Sequence, residues 1–405
     1  MPTLFPHPSI KTSSAAKINA LVAVSLLSGL CGQAGAIDLD AEGTLTASGF
    51  YSLTAAKVLD GSTPGAGPAW NYSQWRCPCA VPNWTTATVH EKHKGLSFDE
   101  SVVGLQISKE FTPQLSFTTQ VVTRSRDAQS AQTGIDWAYG TWQSADTHTK
   151  LRAGRMRIPL YYYSDYRYVG YAYPWVRPPA ESYSAEIEDY DGFNISHAAR
   201  LAGSDWTLIG QIWHGRRHDQ DNPLYSRIIY LAPTDVTWSR INGISASIGN
   251  GIADFRMVLM TMHKSTALTS PNGTATATLV DAPMIAADAP IHLSGVSANV
   301  DYHGWIARTE FNRADSDDPR DTYRYFLVAS GYRFHTLTTM LTLSKYRRYS
   351  TPVEDRGTAA LTLRWDFAKD AALKLQFDVT RDRSVYAAPF FGDSRLLSLS
   401  LQGVF

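Results

Sequence analysis

The stretch Arg395–Phe405, RLLSLSLQGVF, closes the chain with a strict two-residue alternation. Leu397, Leu399, Leu401 and Phe405 fall on one side, and Ser398, Ser400 and Gln402 on the other. Successive strand side chains point to opposite faces, so this period reads as a β-strand with one oily and one polar face. The same rhythm recurs upstream. LKLQFDV sets Leu373, Leu375, Phe377 and Val379 against Lys374, Gln376 and Asp378. LTLRWDF sets Leu361, Leu363, Trp365 and Phe367 against Thr362, Arg364 and Asp366, and WIARTEF sets Trp305, Ala307, Thr309 and Phe311 against Arg308 and Glu310. The polar faces carry full charges.

Short polar turns join some strands, at Thr112–Gln114, Gly203–Asp205, Gly249–Asp254 and Ala368–Ala372. Long irregular segments join others, at Asp60–Leu96, Tyr161–Tyr190, Asp219–Thr234 and Leu268–Pro290. Short turns on one side and long loops on the other belong to membrane barrels. The pattern predicts an all-β chain of about 16 strands, as eight antiparallel hairpins, with no domain boundary. A soluble sandwich also alternates, but it turns its polar face to water. Here the charged fraction is 18%, against about 25% in a typical soluble protein, while tyrosine and tryptophan number 21 and 11. Oily faces against lipid and charged faces around water are therefore expected. A sheet that crosses a membrane must also close, because an open edge leaves backbone groups unpaired in hydrocarbon.

Residues 1–36 read as a secretory signal, leaving 37–405 as the barrel domain. Lys11 and Lys17 supply the positive start, Ile18–Leu30 the apolar run, and Ala34 and Ala36 the small residues before a cut. That run falls short of the ~20 residues of a spanning helix. Leu30 before Cys31 does not suit a lipid-anchor signal. Removing the segment deletes two lysines and no acid, which takes the 37 basic side chains two below the 37 acidic ones. Such a balance gives no argument for nucleic acid as a partner.

With the signal, the alternating strands, the terminal LSLQGVF and the segment LRAGRMRIPL (Leu151–Leu160) in view, the chain resembles the general trimeric outer-membrane porins of Gram-negative bacteria. The likeness implies a passive diffusion channel without cofactor or catalysis and a homotrimer in outer-membrane lipid and lipopolysaccharide. It also implies a terminal aromatic, Phe405, read by the barrel-assembly machinery, and a long loop folded inward to narrow the pore. The acidic PEFGG-like loop tip of enterobacterial porins is absent.

That loop would begin in RIPLYYYSDYRYVGYAYPWVRPP, Arg157–Pro179. Its candidate constriction residues are Arg152, Arg155, Arg157, Asp165, Arg167, Arg177, Glu181, Glu186 and Glu188. Arg155 and Arg157, two apart, are expected on one strand face, with Met156 and Ile158 on the other. Segregated positive and negative walls would set a transverse field across the gap; alternatively the arginines pair with nearby acids and pin the loop. The tyrosines admit an interfacial girdle, loop packing, or an aromatic track for sugars. Candidate lumen-wall residues are Arg308, Glu310, Arg324, Arg364, Asp366 and Lys374. Cys77 and Cys79 are a candidate disulfide in an oxidising compartment. His90 and His93 follow them, but HEKH lacks the metalloprotease spacing, and no metal is expected. The rival readings are a sugar-specific channel, a barrel enzyme and a soluble exported β-protein.

Overall fold

The computed structural model describes residues 36–62, 75–127, 130–183, 185–230, 232–268, 286–317, 322–349, 353–384 and 391–405. The expected signal, 1–36, lies outside the described residues except for Ala36, as does most of the expected loop Leu268–Pro290. The chain is a closed antiparallel barrel of sixteen long strands. In order they are β1 Leu45–Gly61, β2 Val102–Thr112, β3 Leu115–Asp127, β4 Ser130–Gln143, β5 Thr149–Arg157, β6 Asp189–Arg200, β7 Thr207–Asp219 and β8 Thr234–Gly249. The second half comprises β9 Ala253–Leu268, β10 Ala286–Tyr302, β11 Trp305–Ser316, β12 Tyr323–Phe334, β13 Leu337–Arg348, β14 Glu354–Ala368, β15 Ala371–Asp382 and β16 Ser394–Val404.

Each strand pairs with its sequence neighbour, and β1 closes the ring on β16 in a register running from Phe50–Val404 to Gly61–Ser394. The seam ends where Gly49 and Phe405 exchange both backbone hydrogen bonds, at 2.7 and 2.9 Å. The Phe405 ring fills the notch left by Gly49: a Cβ there would lie 2.3 Å from it. Turns at 113–114, 250–252, 303–304, 335–336 and 369–370 gather at one rim, and β1, β5, β7 and β15 end at the other. The segment expected as irregular between Asp60 and Leu96 holds a small ribbon, Cys79–Asn83 with Thr88–Glu91.

The burial pattern is inverted relative to a water-soluble protein. Leu361 is 58% exposed while its neighbour Thr362 is 1% exposed, and both Lys374 and Gln402 are fully buried. Val103, Leu105 and Ile107 on β2, Leu341 and Leu343 on β13, and Leu375 and Leu399 on the last two strands stand on the outside. Trp305 and Tyr332, with ring centres 5.1 Å apart, and Trp365 with Phe367, at 5.7 Å, mark the short-turn rim. Aromatic rings gather at such rims because a flat apolar body with a polar edge suits the interface between lipid and water. No helix among the described residues is long and apolar enough to cross a membrane; the strands do so instead. Burying 16 polar strand faces and exposing the oily ones is stable only where hydrocarbon surrounds the barrel.

A charge placed on the lipid face tests this by depth. Leu341→Arg, near the middle of β13, is expected to cost about 2–4 kcal/mol of unfolding free energy in vesicles. Leu337→Arg, beside the turn, is expected to cost about 0–1 kcal/mol. Equal, small costs at both positions would contradict the placement in lipid.

Candidate functional site, a loop folded into the barrel

Four prolines at Pro159, Pro174, Pro178 and Pro179 keep the segment 158–188 out of any sheet, since proline lacks the N–H that a ladder needs. The chain leaves the wall where Ile158 donates to the Glu188 carbonyl at 3.0 Å. It then crosses the lumen through two short 3-10 turns, Ser164–Tyr166 and Gly170–Ala172. Its backbone groups, removed from water and from any sheet, must find partners on the wall. Lys374 on β15 donates to the carbonyls of Gly170, Tyr173 and Trp175 at 2.7, 2.5 and 2.9 Å. Arg364 on β14 donates to those of Tyr171 and Tyr173 at 2.8 and 3.0 Å. Arg256 on β9 reaches the Tyr161 carbonyl at 2.9 Å and also that of Pro159. Gln402 donates to the Val176 carbonyl while Gln376 accepts from the Val176 N–H, both at 2.8 Å. Gly170 sits so close to the wall that a Cβ would meet Ser52 Oγ at 2.5 Å and the Gln402 side chain at 2.6 Å.

The aromatic run packs this loop from within. Tyr161, Tyr163, Tyr173, Trp175 and Tyr183 are buried, with ring centres 4.8 to 6.3 Å apart. Trp175 Nε1 donates to Thr342 Oγ1 at 2.7 Å, and the Tyr183 hydroxyl donates to Glu310. Ser344 and Thr358 donate to Glu181 at 2.8 and 2.5 Å. Burial pushes the Glu181 carboxyl up, against those two hydroxyl donors. Trp84 and Thr85, in the segment 75–101, also reach the interior. Thr85 Oγ1 donates to the Ala185 carbonyl at 2.8 Å, and the Arg356 guanidinium lies 4.0 Å above the Trp84 ring.

One cluster of charges joins the loop to β3, β4 and β5. Arg157 is buried and donates to Asp136 at 2.6 Å and to Glu188 at 3.1 Å. Arg167 meets Glu188 at 3.0 Å, and Arg124 lies 3.6 Å from Asp136 and 3.8 Å from Glu188. The Tyr168 ring is held between Arg124 and Arg157, 4.4 and 4.5 Å from their guanidinium carbons. Burial pushes the Glu188 carboxyl up, but the guanidiniums of Arg167, Arg157 and Arg124 outweigh it and hold the group at about 2. Burial likewise raises the Tyr168 phenol, to about 12.

Open space remains on either side of this cluster. A cavity of about 500 Å³ lies against β1 to β7 and is lined by Arg157, Arg152, Asp165, Trp137, Tyr139 and Tyr190. A smaller one of about 90 Å³ is lined by Arg124, Arg167, Tyr168, Arg177 and Glu100.

The structure sorts the expected residues. Arg177 bridges Glu100 at 2.9 Å and Asp378 at 2.5 Å. Glu186 meets Lys264 at 3.1 Å, Arg308 donates to the Tyr163 hydroxyl at 2.7 Å, and Asp366 holds Arg364 at 2.7 Å. Among the described residues these acids and bases interleave rather than segregate into walls of opposite sign. Two placements differ from expectation. Arg155 pairs in register with Ala138 and Asp191, on the face of exposed Leu151, Phe193 and Ile195, and ion-pairs with Asp191 at 2.8 Å. Arg324 shares the face of exposed Phe326 and Val328. Both stand on the outer wall because strand phase at those ends is opposite to that assumed. The Cys77 and Cys79 sulfurs are bonded, at 2.09 Å, and His90 meets Glu100 at 2.8 Å. Among the described residues no group of three metal-ligating side chains occurs. Sequence reasoning missed Arg124, Asp136 and Glu100. Asp136 sits at a register shift between Gln120 and Val121, which turns a carboxylate inward from between Ile135 and Trp137.

No family model matches the chain, and no curated protein matches it in sequence. Solved structures do. The trimer form of OmpT, an outer membrane protein of Vibrio cholerae, aligns at TM-score 0.53 and 9% identity, covering 89% of this chain and 99% of that one. OmpF of Salmonella typhi, solved with daunomycin, aligns at 0.52 and 9% identity over 89% and 97%. The anion-selective porin of Comamonas acidovorans aligns at 0.52 and 10% identity over 89% and 99%. The chain thus has the porin fold, a closed transmembrane β-barrel.

Two outcomes are expected. Lys374→Met leaves buried carbonyls without a donor and should cost about 1–3 kcal/mol, read as a lower denaturant midpoint in vesicles. Glu188 is held below its ordinary 4.5, so its contribution to stability is complete above that pH and is lost as pH falls through about 2. The stability gap between wild type and Glu188→Gln should therefore be flat above pH 4.5 and shrink below it.

Proposed function

We propose that the protein is a narrow water-filled channel that lets small hydrophilic solutes and ions diffuse passively across the outer membrane. The observation that carries this reading is the cluster of Arg124, Arg157 and Arg167 with Asp136 and Glu188, standing between two cavities inside a lipid-facing barrel. Loop 158–188 is its constriction element, with Arg152 and Asp165 on the wider side and Arg177 and Glu181 fixing the loop. Charged side chains around a pore set ion preference through their local placement. Here three guanidiniums face two carboxylates, which favours anions. Residues 1–36 act as the export signal in this reading, and Phe405 on β16 as the mark read by the assembly machinery. A homotrimer in lipid and lipopolysaccharide is the proposed assembly, supported by the trimer form among the similar structures.

The rings of Tyr163, Tyr173 and Trp175 are packed against one another and do not offer a sugar track. A solute-specific variant of the channel is favoured instead by the larger cavity, where Trp137, Tyr139 and Tyr190 surround Arg152 and Asp165. Saturable block of the current by a sugar would support that variant, and linear flux would count against it.

Planar-bilayer recording tests the proposal. Wild type should give ohmic current, and Glu188→Gln should shift the reversal potential further towards anions. Arg155→Glu, on the outer wall, should leave the reversal potential unchanged. Absence of conductance from protein with correct barrel mobility would overturn the reading, as a barrel enzyme would predict.

A further inference from the structure

The larger cavity is bordered by two charges that the fold leaves unmatched. Arg157, where the cavity meets the charge cluster, spends its guanidinium on Asp136 and Glu188. Arg152 lies on β5 nearer the connection at 144–148. It meets no carboxylate within ion-pair range among the described residues; its guanidinium carbon stands 5.6 Å from the centre of the Tyr139 ring. Asp165, exposed on the inward loop, likewise meets no cation within that range among the described residues.

The wall beside them supplies neutral polar groups. Gln106, Gln120 and Trp137 stand directly opposite one another across β2, β3 and β4, and Arg152 stands opposite Asn194 across β5 and β6. Gln120 donates to the Gln106 carbonyl oxygen at 3.3 Å, which leaves the Gln106 amide nitrogen and the Gln120 carbonyl oxygen uncommitted among the described residues. Three further atoms on residues lining this cavity, Trp137 Nε1, Arg152 Nε and Asn194 Oδ1, are buried without a hydrogen-bond partner. Buried polar atoms are ordinarily paired, so orphans gathered around one cavity point to a ligand that both donates and accepts. The Trp137 and Tyr139 rings, with centres 6.3 Å apart and planes at 72°, form an aromatic corner in the same wall.

We propose that this cavity binds a sugar acid, a ring of neighbouring hydroxyls that carries one carboxylate. The Arg152 fork takes the carboxylate in paired hydrogen bonds. The Asp165 carboxylate accepts from adjacent hydroxyls, and the C–H face of the sugar lies against the aromatic corner. A hydroxyl both donates and accepts, which is what the mixture of amide, indole and carboxylate groups requires. An amino acid's ammonium only donates, so it leaves Trp137 Nε1 and the Gln106 amide unanswered. A neutral sugar leaves Arg152 without an anion. The volume of about 500 Å³ falls within the range of about 300–1,000 Å³ usual for small-molecule sites. The inference rests on the solute-specific form of the channel proposed above, which brings the ligand to the cavity.

The probe is glucuronate, titrated calorimetrically onto the detergent-purified full chain, so that binding is read without conductance. Glucose, cyclohexanecarboxylate and alanine are the comparison arms. Wild type should bind glucuronate roughly tenfold or more tightly than each of them. Arg152→Gln should bring glucuronate to within about twofold of glucose, and Arg155→Gln, on the outer wall, should bind as wild type does. Asp165→Asn, at an exposed loop position, serves should Arg152→Gln not fold; it should weaken glucuronate about fivefold and leave cyclohexanecarboxylate unchanged. Glucose or alanine binding as tightly as glucuronate would overturn the proposal, as would undiminished binding of glucuronate by both variants. Bilayer current recorded in parallel separates the two readings. Conductance without glucuronate binding sinks the sugar acid and leaves the channel, whereas binding without conductance supports the site and sinks the channel.

Discussion

A lysine ammonium has three protons to donate, and at Lys374 each one meets a backbone carbonyl of the same loop. A buried charge is tolerable only when its hydrogen-bonding capacity is met. The loop's carbonyls, drawn away from both water and sheet, have the complementary need. Each side therefore removes the other's penalty, and the loop is held across the lumen instead of over the rim. Arg364 and Gln402 extend the same exchange to β14 and β16. Part of the wall's polar face thus solvates one segment of its own chain.

The consequence is asymmetric. On the side of β11 to β16, side chains from the wall and rings from the loop fill the interior, and Trp175 is wholly buried. The larger cavity lies against β1 to β7 and reaches Arg157 of the charge cluster, while a small one of about 80 Å³ remains among Tyr323, Tyr325, Tyr346 and Arg356. A barrel of this many strands would otherwise enclose an unselective channel. Packing part of it with the loop narrows the space inside the barrel.

How much of this was legible follows from what alternation can carry. Where one strand face is uniformly oily, as in β14 to β16, phase and register follow from the residues, and the placement of Lys374 and Arg364 was readable. The proline-broken aromatic run marked an irregular segment between strands, but its inward fold was expected only from the resemblance to porins. Arg155 and Arg324 were not readable. Near them both faces mix charge with small or aromatic residues, and a one-residue change of phase moves every side chain to the other side. On β5 the inward residues include Arg152 and Met156, and the outward ones Leu151 and Arg155, so hydrophobicity does not discriminate between the faces. Asp136 depends on a local register shift, and Glu100 on a distant loop; neither leaves a periodic trace.

Amide hydrogen exchange on the folded barrel tests the central claim most directly. Peptides covering 158–188 should exchange as slowly as the strands of the wall, because their backbone groups are engaged within the lumen. Exchange within seconds, at the rate of an ordinary external loop, would contradict it.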